Sequence, residues 1–428
     1  MDEIQDSFLL LKGGKILTGR PGEIIQGSVL MVEGSKIAFV GREDEVGREK
    51  KDRARIIAVE TCTIMPGLID SHVHFWGART LDYLHRALVP DELNMIRAVK
   101  DVEALIDVGF TTVREAGGKK SIYLRRAIEE GTIKGPRILS AHRAICITGG
   151  HYDLHFLPLD HVKGMKGNFR LADGADDCRK AVREQLREGA DFIKICTTGG
   201  IMSQGDHPKE VQFSSEELNS IVEESHDHGK RVAAHAQGLD GIISAVRAGV
   251  DTIEHGTFLD EETAELMVKR GIFLIPTLSL MHKIATEAGS YGMSPWALKK
   301  GAELNKVAVN TFNLAQERGV RIASGTDFSG APPMRHGGNA IELSLMVQAG
   351  MSPYDAISSA TKVAAEAIGI QERTGTLEEG KWADILVIEG NPVHDISILM
   401  DKSRIRMVIK EGHIQKMNLK SKLIDSLE

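Results

Sequence analysis

Hydrophobic and polar positions change their period twice along this chain. Over residues 8 to 65 the apolar residues come in short β-prone runs: Phe8-Leu-Leu-Leu-Lys, Lys15-Ile-Leu-Thr, Ser28-Val-Leu-Met-Val, Lys36-Ile-Ala-Phe-Val, Ile56-Ile-Ala-Val and Thr63-Ile-Met. Gly, Glu and Ser separate them, as expected of strands joined by tight turns. The same texture returns near the end, in Ala383-Asp-Ile-Leu-Val-Ile, the Gly390-Asn-Pro turn, Ile405-Arg-Met-Val-Ile-Lys and Gly412-His-Ile. Two β-rich ends around a different middle predict one β-sandwich built from both termini, residues 1–65 with 372–428.

The middle, residues 66–371, alternates strand-like and helix-like segments. Apolar strand candidates fall at 68–75, 111–115, 137–142, 192–198, 231–236, 252–257, 273–279 and 321–327. Amphipathic stretches at 176–189, 215–228, 260–270 and 297–318 lie between them, and 353–369 forms one more helix before the chain returns to the sandwich. The helix at 215–228 has a full start signal: Ser214 as N-cap, Glu217 completing a capping box, Phe213 and Leu218 at the staple positions, and Gly229 as the stop. Eight strand–helix units predict an α/β fold of the (β/α)8 TIM-barrel type. Two connections, 143–174 and 280–296, are too long for simple loops. After strands three and seven, they are expected over the barrel mouth.

Composition narrows the class. With 428 residues, 42% hydrophobic and 26% charged, and a net charge of −7, the chain is long enough for a large barrel plus an accessory domain and resembles an ordinary globular enzyme. The densest basic stretch, Arg48 to Arg55, is diluted by Glu49 and Asp52, so nucleic acid is not an expected partner. Met1-Asp-Glu-Ile-Gln-Asp is not a signal-peptide start, no apolar run reaches the roughly 20 residues of a membrane span, and Cys62, Cys146, Cys178 and Cys196 show no CxxC pairing. A cytoplasmic protein without membrane contact is expected.

Candidate chemistry collects where such a barrel places it, at the C-terminal ends of the strands. Strand one ends in His72 and His74, whose i, i+2 spacing puts both rings on one face. Strand five carries His235, strand six His255 and strand eight Asp327. Taken singly, each is an ordinary strand-end residue; together they form an ordered ligand set. Lys194, inside Phe-Ile-Lys-Ile-Cys on strand four, is costly to bury as a cation and needs a partner, a depressed pKa or a chemical change. A neutral lysine amine can add CO₂ to become a carbamate, an anionic bidentate ligand able to bridge two metal ions. His72, His74, carbamylated Lys194 and Asp327 would then hold one divalent ion, and carbamylated Lys194, His235 and His255 the other. The donors favour Zn²⁺, with Mn, Co, Ni or Fe also open. A bridging water or hydroxide is the expected nucleophile, and Asp327 the group that carries its proton to the leaving nitrogen.

With Pro66-Gly-Leu-Ile-Asp-Ser-His-Val-His, the ordered HxH, Lys, His, His, Asp set and the tail Gly375-Thr-Leu-Glu-Glu-Gly-Lys-Trp-Ala-Asp-Ile-Leu, the chain resembles the amidohydrolase superfamily over essentially its whole length. The strand-four lysine resembles the binuclear, carboxylated-lysine subtype. Thr111-Thr-Val-Arg-Glu-Ala-Gly, Lys194-Ile-Cys-Thr-Thr-Gly-Gly-Ile-Met-Ser and the segment from Thr326-Asp to His336-Gly-Gly-Asn-Ala-Ile-Glu-Leu look like the branch of Xaa-Pro dipeptidases, related carboxypeptidases and ochratoxinase-type amidases, with imidazolonepropionase-like enzymes near it. One departure is Gln237, where related sequences often carry a second histidine.

The resemblance implies hydrolysis of a dipeptide or N-acyl amino acid, and a homo-oligomer. It matches His142 to the position that contacts the scissile carbonyl, where a histidine can stabilise developing negative charge. Arg143, His151, Tyr152, His207, Arg335 and His336 lie on mouth loops as candidates for a substrate carboxylate, arginine being the best bidentate partner. Hydrolysis of lactones, cyclic amides or phenylurea-like compounds uses the same site, and a catalytically silent scaffold of this fold is the reading from another class.

Overall fold

A computed structural model describes residues 8–20, 22–164 and 167–418. The acidic opening residues 1–6, and residues 165 and 166 within the 143–174 connection, lie outside the described residues.

The first barrel strand, Leu68–Val73, pairs in parallel with Phe110–Glu115, and that strand with Arg137–Ser140. A second parallel run orders Ala144–Cys146, Ile193–Cys196, Val232–Ala236, Thr252–His255 and Phe273–Ile275. The third strand joins the two runs by breaking. Its first half ends at Ser140, two residues short of the expected 142, because His142 takes a left-handed backbone (φ 59°). Its second half then pairs with strand four through Ile145 and Ile195.

The eighth segment closes the barrel without being a continuous strand. Leu274 N–H donates to Arg321 O (3.0 Å) and Ala323 N–H to Leu274 O (2.9 Å) on one side. Ser71 N–H donates to Ser324 O (2.9 Å), Asp327 N–H to His72 O (2.7 Å) and His74 N–H to Phe328 O (2.8 Å) on the other. The ladder is interrupted at Gly325, where a Cβ would come within 2.9 Å of His72 Cβ, and at Asp327 (φ 57°).

The four helices expected between the strands appear as Ala175–Arg187, Ser215–Asp227, Glu261–Arg270 and Pro295–Glu317. Ser214 and Glu217 form the expected capping box, worth about 1 kcal/mol to the helix start. Two expectations need correction. The 280–296 connection is mostly helical: strand seven stops at Ile275, Thr277 turns the chain (φ 49°), and a helix runs Leu278–Thr286. The helix expected at 353–369 is two, Pro353–Ser359 and Lys362–Ile368. The break frees the carbonyls of Ser359 and Ala360 to accept Ser324 N–H and Ile69 N–H at the foot of the barrel. The 143–174 connection also carries a short helix, Leu159–Gly164, and an edge strand, Phe169–Leu171, parallel to Ala144–Cys146.

Both ends of the chain build two sheets that face each other. One orders Lys36–Arg42, Ser28–Glu33, Phe8–Lys12 and Ala54–Ala58. The other brings Cys62–Pro66 between Lys15–Leu17 and Ile385–Glu389, with Ile405–Lys410 and His413–Met417 beyond. Their alternate residues, among them Leu9, Leu11, Leu30, Ile64, Ile385, Val387, Met407 and Ile409, share one buried core. Among the described residues no helix is long and apolar enough to cross a membrane.

Candidate metal centre and active site

Strand register sets the depth of the site. Cys196 pairs with His235 and Ala236 with His255, so Lys194 sits two residues below the level of His235. A lysine side chain is long enough to cover that difference. His72, His74 and Asp327 carry ligand atoms all within 4.8 Å of one another. Asp327 Oδ1 lies 3.1 Å from His74 Nε2 and 3.5 Å from His72 Nε2. The His255 ring stands 5.4 Å from that of His72 and 4.6 Å from that of His235. The structure therefore brings the histidines and Asp327 to one place at the barrel mouth.

The other nitrogen of each ring is held from behind, which orients a ligand histidine. His72 Nδ1 meets Glu254 Oε2 at 2.6 Å, His74 Nδ1 meets Gly117 O at 3.2 Å, His235 Nε2 meets Gly199 O at 3.1 Å, and His255 Nδ1 meets Thr277 Oγ1 at 2.7 Å. The nitrogens left facing the cluster are the ones a metal would take. His72 Nε2 is buried without a hydrogen-bond partner among the described residues.

Lys194 is the sharpest anomaly. The residue is 1% exposed, and its Nζ has no hydrogen-bond partner among the described residues. Burial pushes its pKa down from the ordinary lysine value, against the pull of Glu254, Cys196 and Asp327. A buried amine pushed towards its neutral form, without a partner, fits a lysine that becomes a carbamate.

Electrostatics divide the remaining groups. Burial would raise the Asp327 carboxyl, but His72, His74 and Lys194 outweigh it and hold it down at about 2. Burial drives His72, His235 and His255 well below the usual imidazole range. His74 goes the other way, because the Asp327 and Glu115 carboxylates beside it overcome its burial.

Three carboxylates behind the site escaped the sequence reading. Glu254 lies beside His255 on strand six. Its Oε1 accepts Arg114 Nη2 at 2.6 Å, and Arg114 and Lys194 keep it ionised against burial. Asp70 accepts from Thr326 Oγ1 (2.7 Å), Asn339 Nδ2 (2.8 Å) and His72 N (3.1 Å), locking strand one to strand eight. Burial pushes it up to about 6. Glu342 accepts Leu278 N–H (2.9 Å) and Ser279 N–H (2.6 Å), and burial pushes it up to about 7. For Asp70 and Glu254 the available signal was an acidic residue inside an apolar strand, two before or next to a ligand histidine; Glu342, on the helix Ile341–Gln348, offered none.

The loop candidates separate. His151 stacks on His235 (centroids 4.2 Å apart), and Gly200 lies so close to its ring that no Cβ would fit. Its Nδ1 meets Ser203 Oγ at 2.9 Å, and Ser203 in turn reaches Asp206. Tyr152 Oη lies 3.4 Å from His74 Nε2. Both line the cleft with His235, Gln237, His255 and Asp327. His142 does not: its Nδ1 meets Gln185 Oε1 at 2.9 Å on the helix Ala175–Arg187, because its left-handed backbone turns the ring away from the cleft. Arg143 and Arg335 are also outside the lining, and Arg335 is exposed. His207 accepts Lys209 N–H within its own loop, and His336 lies behind the cluster, with Nε2 3.1 Å from His74 O. Gln237 lines the cleft, and its Oε1 is buried without a partner among the described residues.

Comparison with known proteins agrees with this architecture. The amidohydrolase family model matches residues 63–414. The ochratoxinase of Aspergillus niger is 33% identical over 423 residues, covering 95% of this chain and 86% of that protein, and its crystal structure superposes with a TM-score of 0.88. A crystal structure of a Xaa-Pro dipeptidase with methionine bound in its active site is 33% identical, with a TM-score of 0.85 over 95% of this chain and 99% of that one. A prolidase complexed with N-methylphosphonate-L-proline is 32% identical, with a TM-score of 0.86 over 96% of this chain and 100% of that one. The chain belongs to the amidohydrolase family and is a hydrolase of that family.

Proposed function

We propose that this protein hydrolyses the amide bond of dipeptides or N-acyl amino acids and releases a free amino acid. The observation that carries the reading is Lys194: a buried amine with no hydrogen-bond partner among the described residues, beside the set His72, His74, His235, His255 and Asp327. Its lone pair would add to CO₂ with loss of one proton to solvent, and the carbamate would be an anionic ligand open to both halves of the set. His72, His74, Lys194 and Asp327 would hold one divalent ion, and Lys194, His235 and His255 the other, zinc being the best match to these donors. When bound, the ions polarise the scissile carbonyl and activate water for attack on it.

The chain's own groups do the rest. Asp327, held ionised, accepts a proton from the attacking water at a carboxylate oxygen and delivers it to the departing nitrogen. His151 and Tyr152 stand over the cleft from the loop after strand three, and they replace His142 as the groups placed to hydrogen-bond the substrate oxygen. The cleft opens into a cavity of about 630 Å³ whose apolar lining, Trp76, Leu81, Leu84, Phe156, Phe169 and Trp296, is interspersed with charged residues such as Asp82, Arg86, Lys119 and Lys120.

The relatives support this reading: one bears the name ochratoxinase, one a Xaa-Pro dipeptidase with an amino acid in its active site, and one a prolidase with a proline phosphonate. The test is a panel of dipeptides and N-acyl amino acids against lactones and cyclic imides, with zinc and bicarbonate supplied. Turnover of the first group is expected. Failure to cleave any of them overturns the proposal.

A further inference from the structure

A peptide or N-acyl amino acid brings a carboxylate into the site, and that charge must be met. The cleft beside the proposed metal ligands is where a side chain could pair with it. Among the described residues that line this cleft, Arg86 is the single lysine or arginine. It also lines the outer cavity, so it stands where the two spaces join. Neither Arg143 nor Arg335, the arginines first considered for this task, lines either space.

The mounting of Arg86 is rigid for a long side chain. It lies in the helix Tyr83–Leu88, whose start is capped by the Asp82 carboxylate accepting His85 N–H at 3.1 Å. Its guanidinium carbon sits 4.7 Å from the centroid of the Trp76 ring. Trp76 in turn stacks on His74, with centroids 4.2 Å apart and ring planes 22° from parallel. Trp76 Nε1 donates to Gly117 O at 2.7 Å, the same carbonyl that His74 Nδ1 meets at 3.2 Å. Arg86 is thus two stacked layers out from a proposed metal ligand, on a ring that cannot rotate without losing its hydrogen bond. In a substrate the carboxylate lies one residue beyond the scissile carbonyl, so it falls in the cleft or at its join with the outer cavity, the two spaces that Arg86 lines.

We infer that Arg86 is the residue that recognises the substrate's carboxylate, and that it selects acids over their neutral amides. This rests on the proposed function. A guanidinium presents paired N–H donors that match a carboxylate, and the aromatic face beneath it limits the orientations it must give up on binding.

The test compares the N-acetyl-L-amino acid that the wild-type enzyme cleaves best with the same compound as its C-terminal carboxamide. Wild type should prefer the acid. In Arg86→Gln that preference should fall by about 10- to 100-fold, through a raised KM for the acid, as expected for the loss of a charge-assisted hydrogen bond. Arg86→Lys, which keeps the charge and loses the fork, should fall between them and covers the case of a glutamine variant that does not fold. An acid preference unchanged in both variants overturns the inference. Wild-type turnover with no preference for the acid overturns it too, while leaving amide hydrolysis standing. No turnover of either compound sinks the functional reading and this inference with it.

Discussion

The two halves of the ligand set are built differently. His72, His74 and Asp327, from strands one and eight, already reach one another, with Asp327 Oδ1 3.1 Å from His74 Nε2. Asp70, Glu254 and the Gly117 carbonyl brace them from behind. His235 and His255 are braced too, by Gly199 O and Thr277 Oγ1, but Lys194 beside them is an amine with no hydrogen-bond partner among the described residues. The first half holds an encoded carboxylate, Asp327. The histidines of the second bring none, and the proposed carbamate on Lys194 would supply an anionic ligand to both halves.

The strongest way to break that contrast is Lys194→Ala. Activity is expected to fall to background, and bound metal, measured by elemental analysis, to half of the wild-type content or less. Short carboxylic acids added to the variant should restore part of the activity by standing in for the carbamate. Full activity without them would remove the distinction between the halves.

Glu254→Gln probes the bracing of the first half. The ionised partner of His72 Nδ1 is lost, so metal affinity or kcat should drop by about 10- to 100-fold. Arg114 then keeps its charge in a buried site without its carboxylate, so stability should fall by about 3–5 kcal/mol in a denaturant titration. Loss of stability with metal affinity intact would show that Glu254 serves the barrel floor and not the site.

The smallest effect concerns the support of His255. Glu342 holds the backbone just after Thr277, and Ser279 Oγ then donates to Thr326 O at 3.2 Å. Its carboxyl sits at about 7, above the ordinary 4.5, so the folded state binds that proton more tightly than the unfolded one. Its contribution therefore declines as pH rises from about 4.5 to about 7, the reverse of a carboxylate held by a cation. Glu342→Gln has no such proton. The Tm of the variant relative to wild type should rise by about 1–4 °C between pH 5 and pH 7.5. A difference that stays flat with pH would mean that Glu342 is not titrating in this window.

Much of this was legible in the chain because period and chemistry coincide. Apolar runs of strand length, ending in His72, His74, His235, His255 and Asp327, declare both a barrel and its mouth. What stayed hidden depends on partners far away in sequence. Glu254 is an ordinary strand glutamate until Arg114, 140 residues earlier, reaches it. Asp70 takes its meaning from Thr326 and Asn339. His142 shows a different limit. Counting along a regular strand puts its ring at the rim, whereas a single left-handed residue swings it to Gln185 and leaves the cleft to His151. Backbone sign at one position carries no pattern that a period can report.

The seam of the barrel also bears on how the protein is made. The first strand finds its second neighbour only when Ser324, Asp327 and Phe328 arrive, and Cys62–Pro66 pairs with Ile385–Glu389 at the far end of the chain. A ribosome adding about 5–20 residues per second needs roughly 15–60 s to cover that interval. For that time the nascent chain holds two histidines and an apolar strand edge with nothing to close them. Ribosome-bound chains halted before residue 327 should therefore be substrates for chaperones, and none of them can be an enzyme.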